Sequence, residues 1–208
     1  MPTCIYHITH INNLVSILRS GGLIANSRLR YGGINYLDMA HDSIQERRAR
    51  TPVPCSVGGF LHDYVPFYFA PRSPMLYTID RGNVEGYAEG QTPVIHLVCE
   101  VDTIEAQGLA FAFTDGHAVM AYSDFYDDLK SLALIDWDLM DSRYWFDTAD
   151  DPNRKCRRQA EFLIHQFCPW SLISKIGVIN NQIQTQVHQI LQNSNCSIPV
   201  EIRRDWYY

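Results

Sequence analysis

Gln159-Ala160-Glu161-Phe162-Leu163-Ile164-His165 is a short apolar run with β-strand character, and its one carboxylate falls where both faces of the strand are expected to be buried. An unpaired buried charge is costly, so such a group takes a partner, carries a shifted pKa, or lines a site that uses its charge. The run is entered from Asn153-Arg154-Lys155-Cys156-Arg157-Arg158, a basic segment suited to a phosphate backbone. An internal Glu161–arginine pair is the competing, purely structural account.

Downstream of this strand, residues 175–180 read as another strand. Residues 182–192 read as an amphipathic helix through Ile183, Val187, Ile190 and Leu191, and 198–203 as a last strand. Upstream, 93–101 is a strongly apolar strand, Asp102-Thr103-Ile104-Glu105 has capping-box spacing, and 110–114 is a further short strand. Residues 63–77 predict an aromatic strand, a turn, and a helix with Ser73 as N-cap and Pro74 as its first residue. At the start, Cys4-Ile5-Tyr6-His7-Ile8-Thr9 alternates as a strand, Leu14, Ile17 and Leu18 recur at helical spacing, and Gly21-Gly22 ends that helix. Residues 26–60 are rich in Gly, Arg and Pro and predict a long, partly structured loop with a short helix over 40–48. Residues 124–151 are acidic and aromatic with no clear period. Six or seven short strands with peripheral helices, without regular β-α alternation, predict an α+β fold in one domain over 1–208.

Composition narrows the function. A chain of 208 residues, 46% hydrophobic, can close one sizeable core. No apolar stretch reaches membrane-spanning length, and Met1-Pro2-Thr3-Cys4 opens no secretory signal, so the expectation is a cytoplasmic protein with no membrane contact. The six cysteines are scattered without a C-x-x-C pair, and His7 and His10 would point to opposite faces of a strand, so no metal site is expected. No G-x-G-x-x-G or Walker motif is present. The net charge of -6 hides a segregation: residues 100–151 hold thirteen acids against Lys130 and Arg143, whereas 152–208 hold seven bases against three acids. Arg28, Arg30, Arg47, Arg48 and Arg50 form a second basic group, and the planar guanidinium fork suits phosphates and base edges. Solvated loops making surface ion pairs are the alternative for each basic run.

A histidine on the first strand, an aromatic strand running into a Ser-capped helix, and a late strand carrying one Glu form a more specific constellation. It resembles the ADP-ribosyltransferases that hold NAD with a His, an aromatic or hydroxyl residue and a Glu, and most closely the DarT toxins, which ADP-ribosylate DNA. The matching residues are His7-Ile8-Thr9, the run from Arg47 through Pro54, the long block from Gly58 through Leu76, Phe113-Thr114-Asp115-Gly116-His117-Ala118, Gln159-Ala160-Glu161 and Trp206-Tyr207-Tyr208. They span nearly the whole chain. Ala160 stands where many ADP-ribosyltransferases carry a second acid or Gln before the Glu, which leaves acceptor activation to another group; Arg48 is the one the resemblance implies.

The resemblance implies a split antiparallel β-sandwich core with peripheral helices and a transfer of ADP-ribose from NAD, the co-substrate, to N3 of thymidine in single-stranded DNA. It also implies a toxin whose antitoxin partner, DarG-like, carries an ADP-ribose-removing macrodomain. Glu161 and Arg48 are the implied catalytic residues: Glu161 on the 2′-hydroxyl of the nicotinamide ribose and as a base, Arg48 on the thymine imide as its proton leaves. His7, Thr9, Asn13, Arg48, Tyr68, Phe69, Arg72, Ser73 and Tyr77 are the implied NAD contacts, with Tyr68 or Tyr77 stacking on the nicotinamide ring. Arg47, Arg50, His117, Tyr144, Trp145, Arg154, Arg157 and Arg158 are the implied DNA contacts. Guanine, RNA or a protein as acceptor, and a non-catalytic module that binds single-stranded nucleic acid, are the alternatives.

Overall fold

The computed structural model describes residues 2–32, 37 and 42–208. Among them, β1 (Cys4–His10), α1 (Leu14–Arg19), β2 (Gly22–Ile24), α2 (Asn26–Gly32) and α3 (Asp42–Arg50) come first. They are followed by β3 (Tyr64–Tyr68), α4 (Pro74–Asp80), β4 (Val94–Glu100), α5 (Val101–Ala106), β5 (Phe111–His117), β6 (Phe125–Tyr126), α6 (Trp137–Asp141) and α7 (Arg154–Arg157). The chain then runs through β7 (Ala160–His165), β8 (Phe167–Pro169), β9 (Lys175–Val178), α8 (Asn181–Asn193) and β10 (Val200–Ile202). Eight strands form one sheet in the order β10-β9-β4-β1-β3-β7-β5-β6, and β2 pairs with β8 in a second, two-stranded sheet. All pairings are antiparallel except β9 with β10. This is the α+β class with peripheral helices, and it carries more strands than the six or seven expected.

The large sheet is split. β1 pairs with β4 along its whole length, from Cys4↔Glu100 to His10↔Val94, but meets β3 only at Tyr6↔Tyr68. Pro66 helps to explain the parting. Its carbonyl faces β1 and accepts from His7 Nδ1 at 2.8 Å, so the N–H that proline lacks would have pointed the same way. β3 is instead zipped to β7 from Tyr64↔His165 to Tyr68↔Glu161. Two half-sheets, β10-β9-β4-β1 and β3-β7-β5-β6, therefore meet at one residue pair and open a cleft beside it.

The core holds these halves in place. β4 is buried on both faces from Val94 to Cys99, as its unbroken apolar run requires. α8 buries Ile183, Val187 and Leu191, one face of a helix capped by Asn180, whose side chain accepts from Ile183 N at 3.0 Å. Each fully buried Leu, Ile or Phe contributes about 1.5–3 kcal/mol. Gly177 in β9 lies under the Trp206 ring, and a Cβ there would overlap it.

Several local expectations change. The region 26–60 is more structured than a loop, because α2 and α3 both form within it. α5 begins at Val101 with Glu100 at its N-cap and no side-chain cap, which puts Asp102 inside the first turn and removes the capping box. Val101 N–H is taken by the Thr3 carbonyl at 3.0 Å, so the strand hands the chain directly to the helix. In 124–151, β6 and α6 form; Asp136 caps α6 by accepting from Leu139 N at 3.1 Å.

Candidate active site

The cleft at the split is lined by His7 and Ile8 of β1, Tyr64 to Pro66 and Tyr68 of β3, Gln45 and Arg48 of α3, His117 and Glu161. Its apolar wall includes Ile17, Leu23, Leu29, Leu61, Met75 and Ile79. Apolar walls with a few convergent polar groups are the usual make-up of a small-molecule site.

Glu161 is 3% exposed and fully engaged on one oxygen. Arg48 Nη1 donates to Oε2 at 2.7 Å. Oε1 accepts weakly from Ala118 N at 3.3 Å and lies 3.4 Å from His117 Nδ1. A bulge in β5 makes this possible. Phe113 pairs with Phe162 and His117 with Ala160, so Thr114-Asp115-Gly116 together oppose the single residue Glu161. Extra residues on one strand bend it and re-aim the side chains that follow, and here they turn His117 toward the carboxylate. Thr114 fastens the bulge: its hydroxyl accepts from Glu161 N at 3.1 Å and donates to the Gly116 carbonyl at 2.6 Å. Gly116 is packed so closely that a Cβ would come 2.9 Å from Ser123 Oγ and 3.0 Å from Cys156 Sγ.

Burial pushes the Glu161 carboxyl up, but the Arg48 charge and the His117 contact outweigh it and hold the group at about 2. Glu161 is ionised throughout the neutral range. His7 is the opposite case: burial pulls it down to about 4, so its ring is neutral. With Nδ1 donating to Pro66, the other nitrogen is an acceptor, and His7 Nε2 is buried with no partner among the described residues. Arg48 Nη2 is likewise buried without one. Orphaned polar atoms of this kind are uncommon in a finished core and call for a ligand or water.

A family model described as ssDNA thymidine ADP-ribosyltransferase, DarT, matches residues 6–208. The chain belongs to the DarT family. A DNA ADP-ribosyl transferase of Thermus sp. (strain 2.9) is 46% identical over 209 residues, which cover 100% of this chain and 97% of that protein. The solved structure of Thermus sp. 2.9 DarT in complex with ADP-ribosylated ssDNA is similar at a TM-score of 0.92 and 45% identity, covering 100% of this chain and 97% of the other. The same DarT in complex with NAD+ gives 0.88 at 42% identity, covering 100% and 98%. A DNA ADP-ribosyl transferase-DNA ADP-ribosyl glycohydrolase fusion protein of Thermosipho africanus is 26% identical over 198 residues, covering 94% of this chain and 47% of that protein.

Of the residues the sequence singled out, the structure gathers His7, Arg48, Tyr68, His117 and Glu161 into one cleft. It places others outside that lining, each with a packing reason. Thr9 and Asn13 are buried outside the cleft lining, and Asn13 spends its amide on Thr9 Oγ1 and on the Leu37 main chain. Phe69 is in the core, edge-on to Phe113, Trp137 and Phe162. Ser73 is buried and caps α4, accepting from Leu76 N at 3.2 Å. Tyr77 faces away from Met75 and Ile79 on that helix and packs on Trp145, Phe146 and Tyr208, so of the two tyrosines proposed to stack it is Tyr68 that lines the cleft. Arg72 lies over the Tyr208 ring, in a different pocket.

The DNA set divides in the same way. Trp145 is 2% exposed and donates to the Tyr208 hydroxyl, so it presents no free face, whereas Tyr144 is 72% exposed. Arg157 is bonded to Asp136 and Asp151, Arg154 donates to the Tyr144 carbonyl, and buried Arg158 donates to four main-chain carbonyls. Arg47 donates to the Val119 carbonyl at 3.1 Å, and Arg50 is exposed.

The sequence reading missed Gln45 and His62. Gln45 Oε1 accepts from Asn26 Nδ2 at 2.8 Å and lies 3.0 Å from His62 Nε2, forming a polar corner in the cleft wall. Gln45 precedes Arg48 by three residues, so once 40–48 is read as a helix the two share a face. Nothing in the local pattern marks His62. Among the described residues, no helix is long and apolar enough to cross a membrane, and no group of three or more His, Cys, Asp or Glu is arranged to hold a metal ion.

Proposed function

We propose that this protein transfers ADP-ribose from NAD to N3 of thymidine in single-stranded DNA, with Glu161 and Arg48 as its catalytic pair. One observation carries the reading: an ionised, buried carboxylate sits in an apolar cleft beside two polar atoms, His7 Nε2 and Arg48 Nη2, that have no partner among the described residues. Membership of a family described by this reaction supports it.

NAD enters the cleft as substrate. The neutral His7 ring offers its acceptor nitrogen to a ribose hydroxyl or to the carboxamide N–H. Tyr68, paired in register with Glu161, supplies an aromatic face. The C1′–N bond to nicotinamide breaks with its electron pair leaving on the pyridine nitrogen. Positive charge then develops on the ribose, where the fixed Glu161 carboxylate stabilises it without reorganisation. The lone pair of thymine N3 forms the new bond to C1′, and the N3 proton passes to Glu161 and on to water. Arg48 holds Glu161 through Nη1 and offers Nη2 to a thymine carbonyl oxygen as negative charge builds on the imide. In a duplex N3 is occupied by pairing, so a single strand avoids the cost of opening it.

Exposed Tyr144, Arg50 and the cleft-side His117 are the DNA contacts this reading keeps. The protein acts in the cytoplasm as the toxin of a toxin–antitoxin pair. Its partner is a macrodomain of DarG type that removes the ADP-ribose; the fusion of both activities in the Thermosipho protein supports that pairing.

The test is mass spectrometry of oligonucleotides of each base after incubation with NAD. The expected result is one added ADP-ribose on thymine-containing single strands. Equal modification of thymine-free DNA, of RNA or of protein would replace the acceptor, and DNA binding without nicotinamide release would leave only a binding module.

A further inference from the structure

A second pocket, which shares no lining residue with the Glu161 cleft, lies between the end of α6 and the last residues of the chain. Arg72, Arg143, Arg158 and Arg204 line it, against Asp141 and Asp205. Asp205 is already held by Arg203 at 2.7 Å, so positive charge predominates.

Arg158 forms the wall of this pocket. It is 3% exposed and gives its donors to the carbonyls of Leu139, Met140, Ser142 and Arg72, none of them charged. Its donors go to dipoles and to no carboxylate, Asp141 acts on it only through space, and burial, the largest influence, pulls its pKa down to about 10. Arg72 lies 4.3 Å over the Tyr208 ring, and its Nε is buried with no partner among the described residues. Arg143 and Arg204 are exposed, and among the described residues their guanidinium groups make no hydrogen bond or ion pair. A buried cation bonded to no carboxylate, an orphaned buried donor and two guanidinium groups free among the described residues are together a receptor for an oxyanion. Arg158 precedes Glu161 by three residues, a length of chain that spans at most about 11 Å, so the pocket adjoins the strand that carries the carboxylate.

We infer that this pocket binds a backbone phosphate of the acceptor strand at a nucleotide flanking the target thymidine, with Arg143, Arg204 and Arg72 as donors. The inference rests on the proposed transfer to single-stranded DNA. A free nucleotide monophosphate shares the chemistry, and the experiment separates the two.

Initial rates of nicotinamide release are measured for the natural sequence and for R143A/R204A. The acceptors are an oligonucleotide of about three nucleotides with one thymidine, and oligonucleotides of about ten nucleotides extended on its 5′ or its 3′ side. With one of the extensions the double variant should raise KM for DNA about tenfold and lower the slope of log affinity against log salt by about 1.4, two contacts at about 0.7 each on a single strand. KM for the short oligonucleotide and for NAD should not move. Unchanged KM with both extensions, or an equal rise with the short one, overturns the inference. Adenosine monophosphate is the competing arm: binding of the free nucleotide that is lost in R143A/R204A, while extension of the DNA gains nothing, reassigns the pocket to nucleotides. If no oligonucleotide supports nicotinamide release, the proposed function has failed, and equilibrium binding of labelled extended DNA to the two proteins still decides the pocket.

Discussion

Helix α3 and helix α7 both end in runs of arginine, and the fold treats them oppositely. At the end of α3, Arg48 gives one nitrogen to Glu161 and keeps Nη2 buried and unpartnered, facing a cleft. At α7, Arg157 is divided between two carboxylates and Arg158 between four carbonyls. The buried charge at Glu161 is therefore paired and still incomplete, whereas the arginines nearest to it in sequence are spent on holding the 136–151 region against β7. A saturated polar network specifies structure. An unsaturated one in an apolar cleft is poised for a ligand.

Removing the carboxylate tests this contrast most severely. E161Q keeps the volume and leaves an acceptor for Arg48, so the protein should fold, while transfer to thymidine should fall by about 10³-fold or more, the scale of a lost transition-state electrostatic contact. A turnover assay per folded molecule reads it; activity within tenfold of the natural protein would remove Glu161 from the chemistry. R48Q should cost about 10²-fold and also change the pH profile. Burial raises the Glu161 pKa and Arg48 is the leading influence lowering it, so without Arg48 the carboxyl titrates higher. The acid limb of the rate profile should move to higher pH, whereas a purely structural Arg48 would lower the amplitude and leave the limb in place.

Substitution at Arg158 should instead be felt in stability. R158A leaves buried carbonyls without donors, a loss of about 2–4 kcal/mol. For a domain of this size that is a drop in Tm of roughly 5–15 °C, read by calorimetry. Transfer to a short oligonucleotide, per folded molecule, should change less than about twofold. A stable R158A that has lost transfer would reverse the comparison.

Acid titrates the same distinction. His7 and His96 are both pulled by burial from 6.5 to about 4. Their unfolded forms bind protons first, so stability is complete above about 6.5 and is lost as pH falls through that window toward 4. Glu161, held at about 2 against 4.5, adds its loss only below about 4.5. Tm measured from pH 8 to 4 should therefore decline from about pH 6.5. H7Q should decline less steeply, because one of the titrating rings is gone.

How much of this was legible in the sequence depends on how local the signal is. Glu161, the Ser73 cap with Pro74, and the periodicity of α8 are written in adjacent residues, and the chain folds as they specify. The split between β1 and β3 is not, because it depends on which strands become neighbours across the chain. Pro66 is its trace in the sequence, and a proline inside an aromatic strand does mark an interrupted edge. The bulge of 114–116 opposite Glu161 was equally hidden, because it depends on how β5 pairs with β7. The basic run 154–158 misled most. The carboxylates of Asp136 and Asp151 that hold Arg157 and the carbonyls of 139–142 that hold Arg158 lie in the segment with no period, so nothing local showed that these donors were already engaged.

Arg157 carries the smallest expected effect and the sharpest reading of that last point. It reaches Asp136 at 3.0 Å and Asp151 at 2.7 Å, with about 30% of its side chain exposed. Solvent screens such a pair, so R157A should cost little stability, and a double-mutant cycle with D151N should give a small coupling that shrinks in high salt. Because both carboxylates already engage its donors, R157A should raise KM for DNA less than about twofold. A larger rise without loss of stability would mean that Arg157 leaves Asp136 and Asp151 for phosphate when the strand arrives, and that α7 resembles α3 after all in keeping donors for a ligand.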